Sequence, residues 1–198
     1  MGARQGSRSV VNKSKTCVAK NMGHPQSQTS SKTKKYVMAV NFQFNDGGRS
    51  AYFKGQAGDC VTRAVTLASG LDYKEVYDTL AKGNASQRKS KRTGKQDRSA
   101  RHGILTKRKW FKDYMSSLGF TWVPLMFIGS GCKVHLHKDE LPKTGRLILN
   151  LSRHLAAYID GILHDTHDCS RNGTRCVYGY WKYEREKNEK VYANHGSN

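Results

Sequence analysis

The stretch HLAAYIDGILHDTH, residues 154–167, decides the fold. Alternating apolar runs flank Asp160-Gly161, and an Asp-Gly pair in that setting predicts a two-residue hairpin turn with both turn residues at positive φ. Ile159 then faces Ile162, Tyr158 faces Leu163, Ala156 faces Asp165, and His154 lies opposite His167. Side chains alternate along a strand, so His154, Ala156 and Tyr158 share a face with Leu163, Asp165 and His167, while His164 points the other way. Diagonal neighbours across a hairpin are within side-chain reach. That parity selects Asp165 over Asp160 and Asp168 as the acid that orients His154.

Upstream of the hairpin, strands are expected at 121–127, 133–137 and 146–152, building an antiparallel sheet. The stretch YVMAVNFQF (36–44) also alternates and predicts a strand, closed by the turn cluster NDGGR (45–49). Three helices are expected between them. The first covers 60–69, with Asp59 as N-cap, Gly70 as stop, and Val61, Ala64, Val65 and Ala68 as its buried stripe. The second starts at Asp72 with Glu75 three residues on, a capping-box spacing, and ends before Gly83. Its inward face is Tyr73, Val76, Tyr77 and Leu80. The third covers 106–118, with Phe111, Tyr114, Met115 and Leu118 on one face. Helices first and strands after give an α+β domain.

Cys60 opens the first helix. A cysteine attacks as thiolate, and a helix N-terminus lowers thiol pKa through unpaired N–H groups and the positive end of the dipole. An imidazole must take the thiol proton, and a carboxylate must fix that imidazole's tautomer. His154 and Asp165 are the candidates. Thiol first, then imidazole, then carboxylate is the chain order of a papain-like thiol hydrolase. The competing expectation for each residue is plain packing, since free cysteines are commonly buried as small hydrophobes. A zinc site built from His164, His167, Asp168, Cys169 and Cys176 competes for the same region, but no ligand spacing typical of zinc is present. No metal and no cofactor are expected.

The chain carries a net charge of +20, with 35 Lys/Arg against 15 Asp/Glu. Residues 1–36 hold eight Lys/Arg and no acid, and residues 82–109 hold eleven against the single Asp97. These stretches read as a disordered basic arm over 1–35 and a mobile basic loop over 83–109 inside a hydrolase domain at 36–185, with a tail at 186–198. Such charge attracts polyanions, and Arg88, Lys89, Lys91, Arg92, Lys95, Arg98 and Arg101 are the candidate nucleic-acid contacts. The apolar runs are too short for a membrane span, and no secretory signal is expected at the N-terminus. Five cysteines are an odd and sparse set. Reduced thiols and a cytoplasmic location are therefore expected.

The segments GDCVTRAVTLASG, WVPLMFIGSGCKVHL, LSRHLAAYIDGILHDTHD and GTRCVYGYW resemble a family of phage and bacterial proteins predicted to be papain-like cysteine peptidases. The similarity covers about residues 59–181. It implies a papain-like fold, Cys60 as nucleophile, His154 as base and Asp165 as the third member, acting on a protein or peptide in the host cytoplasm. The papain oxyanion-hole glutamine lies six residues before the cysteine, where this chain has Lys54. Gln56, or Asn45 or Asn41 on the preceding strand, are the substitutes, with the Cys60 backbone N–H as second donor. Peptidase, amidase, deconjugating enzyme and transglutaminase-like acyl transferase all fit such a triad. The alternative class is a basic nucleic-acid-binding protein with an inactive papain-like site.

Overall fold

The computed structural model describes residues 40–88, 98–101 and 103–184, all within the compact unit 36–198. The element order is β1 (Asn41–Phe44), a 3-10 turn (Arg49–Ala51), α1 (Cys60–Ser69), α2 (Tyr73–Ala85), α3 (Lys109–Ser117), β2 (Phe120–Pro124), β3 (Arg146–Leu151), β4 (His154–Ile159), β5 (Ile162–Asp165) and β6 (Gly179–Tyr183). The six strands form one sheet in the order β1-β5-β4-β3-β6-β2. The domain is α+β.

The Asp160-Gly161 turn forms as the sequence dictates. Asp160 has φ 47° and Gly161 φ 84°, and the register pairs Ile159 with Ile162, Tyr158 with Leu163 and Ala157 with His164. A second two-residue connection, Ser152-Arg153, joins β3 to β4 with Leu151 opposite His154.

The sheet separates two cores. On one side α1, α2 and α3 pack Val61, Val65, Val76, Leu80, Phe111 and Met115 against Ile148, Leu155 and Trp181. On the other, Leu147, Leu149, Leu151, Ala156, Tyr158 and Leu163 are covered by Leu136, Leu141 and Val177. The alternation along β3 explains the split, because Ile148 faces the helices while its neighbours Leu147 and Leu149 face away.

Five expectations need correction. The sheet is mixed, not antiparallel: β1 runs parallel to β5, pairing Asn41 with Ile162 and Phe44 with Asp165. The strand expected at 133–137 is a single bridge from His135 to Cys176. Helix α2 does not stop at Gly83. It continues to Ala85, and Gly83 is the point where the Trp110 ring presses against the helix backbone, leaving no room for a Cβ. Asp59 occupies the N-cap position of α1, but its carboxylate caps nothing. It is drawn into ion pairs instead.

The fifth concerns the thiols. Cys132 and Cys176 form a disulfide across 44 positions of sequence. The Leu136 N–H donates to the Arg175 carbonyl at 2.7 Å and the Val177 N–H to the Val134 carbonyl at 2.9 Å, and this local pairing brings the two cysteines together. Such bonds persist in oxidising surroundings. Among the described residues Cys60 and Cys169 are the free cysteines. No helix among the described residues is long and apolar enough to cross a membrane.

Candidate active site

Cys60 and His154 are each the first residue of their element, α1 and β4, and the thiol and imidazole meet at those ends. A cleft of about 1190 Å³ opens there, with Cys60, His154, Gln56 and His167 in its wall. The Nε2 of His154 lies 2.5 Å from Oδ2 of Asp165. Hairpin parity puts both groups on one face, and β5 is gripped from its other edge by β1. There the Asn45 N–H donates to the Asp165 carbonyl at 2.9 Å. The Asp165 side chain is 3% exposed, and its Oδ1 accepts the Thr166 N–H at 2.7 Å.

Electrostatics follow from this geometry. Burial pushes the Cys60 thiol up, but hydrogen bonds from the His154 ring and the Leu155 backbone, with the charges of His154 and Arg63, bring it below its ordinary value. Burial pushes His154 down. Hydrogen bonds to Asp165, Cys169 and Cys60 and the charge of Cys60 outweigh that and raise it to about 11. Asp165, pushed up by burial, is held below the usual carboxylate range by His154, the Thr166 N–H and Arg63. The three shifts run in one sense: each favours the charged form of its group, thiolate, imidazolium and carboxylate.

A buried charge network underlies the triad. Arg63, one turn along α1 from Cys60, pairs with Asp59 through one guanidinium nitrogen and reaches Asp165 Oδ1 at 3.5 Å with the other. Arg49 Nε meets the second Asp59 oxygen at 2.9 Å, and the Tyr73 hydroxyl donates to that same oxygen. Asp59 is thus satisfied by two cations and a phenol, as a buried carboxylate requires. Because it is spent on them, the first-turn N–H groups of α1 receive no side-chain cap.

The other candidates fall out unevenly. Gln56 lines the cleft. Asn45 does not: its carboxamide oxygen accepts the Gly47 N–H at 3.0 Å within its own turn. His164 pairs with Ala157 and turns to the opposite face from Asp165, and burial lowers its pKa. Arg88, Arg98 and Arg101 are exposed, and Arg101 donates to the Gln56 carbonyl at 3.5 Å. Lys89, Lys91, Arg92 and Lys95 lie outside the described residues. The basic loop is anchored at its far end: Asn84 Nδ2 donates to the Ser99 carbonyl at 2.9 Å, and Ala100 is fully buried.

Of the rival zinc ligands, Cys176 is committed to the disulfide, and His164 is on the wrong face. His154, Asp165 and His167 do bring donor atoms within 4.8 Å of one another. Two of those three already hold each other, so a cation there would displace the imidazole from its carboxylate.

Sequence reasoning placed His167 beside His154 and offered Cys169 only as a rival zinc ligand, and it missed Arg63 and Arg49. The i, i+4 spacing of Asp59 and Arg63 was the available signal. No family model, no curated protein and no solved structure matches the chain.

Proposed function

We propose that the chain is a cysteine-dependent hydrolase of amide bonds, peptide or isopeptide, with a papain-like arrangement of Cys60, His154 and Asp165. The observation behind this reading is the continuous thiol–imidazole–carboxylate relay opening on a cleft. The Cys60 thiolate attacks the carbonyl carbon, and the developing oxyanion is met by the Cys60 backbone N–H and the Gln56 side chain. The His154 imidazolium delivers its proton to the departing amine as the C–N bond breaks. His154, now neutral, takes a proton from water, and the hydroxide attacks the thioester and releases the acid. Asp165 stays ionised and keeps Nε2 of His154 engaged throughout.

Alkylation by iodoacetamide near neutral pH tests the nucleophile without a known substrate. Cys60 is expected to react at least ten times faster than glutathione, while buried Cys169 stays inert in the folded protein. Peptide mapping separates Cys60 from Cys17, and Cys60→Ser removes the fast phase. Reaction no faster than glutathione overturns the reading.

A further inference from the structure

The charges lining the cleft are not all used by the triad. Arg49 and Arg63 are committed to Asp59 and Asp165 behind the wall. Asp46, the one acid among the described lining residues, is tied into its own turn, accepting the Gly48 N–H at 3.0 Å and the Ser50 N–H at 2.9 Å. Lys107 and Arg153 remain. Both line the cleft, both are exposed, and neither has a carboxylate partner among the described residues.

Arg153 stands in the two-residue β3–β4 turn, directly before His154, with φ 55°. Left-handed backbone disfavours a side chain, and glycine would hold this turn without that penalty. The arginine therefore supplies its guanidinium, not its backbone. A planar fork of donors matches a carboxylate in a way an ammonium does not.

We infer that this cleft selects acidic peptides, with Arg153 receiving an Asp or Glu carboxylate next to the bond that Cys60 attacks and Lys107 adding charge from another part of the cleft wall. The inference rests on the thiol-hydrolase reading and names its substrate class. Arg153 is accordingly a specificity residue.

Paired tripeptide vinyl sulfones, ending in glycine and bearing Glu or Gln at each of the two preceding positions, provide the test. The readout is the ratio of Cys60 modification rates, Glu over Gln, followed by peptide mass mapping that separates Cys60 from Cys17. An ion pair at a partly open cleft is expected to give a ratio of roughly three to ten at the better position at low salt, shrinking as salt rises. Arg153→Gly relaxes the turn, so its folding is not in jeopardy, and its ratio should approach one. Lys107→Ala should lower the ratio partway. Arg171→Gly is the matched control, being another exposed arginine at positive φ (54°) outside the cleft, and should keep the wild-type ratio. A wild-type ratio of one at both positions, or the same ratio in Arg153→Gly as in wild type, overturns the acidic preference while leaving the nucleophile standing. Failure of every probe, iodoacetamide included, to label Cys60 overturns both.

Discussion

Asp165→Asn keeps the shape of the third residue and removes its charge. In the native site the carboxylate sits 2.5 Å from His154 Nε2, with the two side chains 3% and 11% exposed, so water screens the pair little. A charge-assisted hydrogen bond of this kind is worth about 1.5–3 kcal/mol. At 1.36 kcal/mol per pKa unit, the His154 titration should fall by about 1–2 units. Histidine titrations followed by ¹H–¹⁵N NMR measure this directly. In the native protein His154 should remain imidazolium well above its ordinary 6.5, up to about 11. The sign for stability follows. A raised pKa contributes in full below 6.5 and is lost as pH climbs through the folded value, so the variant loses that contribution at lower pH than the native protein. A native His154 that titrates near 6.5, or a variant with an unmoved midpoint, would refute the ion-pair picture.

Three further outcomes concern the scaffold. Arg63→Met strips Asp59 and Asp165 of a shared buried cation and should cost about 3 kcal/mol in urea unfolding, with Arg63→Lys falling between variant and native. Gly83→Ala drives a methyl into the Trp110 ring. Overpacking should outweigh the gain in helix propensity and leave a net loss of about 1–2 kcal/mol, read as a lowered Tm. Reducing Cys132–Cys176 releases a loop spanning 44 positions, and chain entropy puts the loss at about 4 kcal/mol, visible as a drop in urea midpoint with thiol reductant.

Local chemistry was legible in the sequence and pairing between distant segments was not. The Asp160-Gly161 turn encodes its own register, so the shared face of His154 and Asp165 could be read from fourteen residues. The helix α2 start was legible for the same reason, since Asp72 accepts the Lys74 and Glu75 N–H groups within one turn. The parallel pairing of β1 with β5 has no local signal, because an extended segment does not declare its partner. Gly83 looked like a stop because glycine usually is one, and only the position of Trp110 shows that it is a contact. Asp59 looked like a cap for a similar reason. Two buried arginines compete for it, and charge wins over the backbone amides. The cysteine count argued against a disulfide, and the pairing of 134–136 with 175–177 made one.

The parallel β1–β5 pair joins segments about 120 residues apart, and β5 carries the carboxylate on which the imidazole depends. Chains emerge from the ribosome N-terminus first, so α1 and its thiol are made long before β4 and β5. Until then Cys60 lacks every group that depresses its pKa from the sheet side and is an ordinary thiol. Contacts of such long sequence separation also form late on the folding path. Nascent chains and fragments ending before residue 154 therefore lack the sheet-side groups that lower the Cys60 thiol, and under the proposed hydrolase reading its reactivity arrives only once β4 is in place.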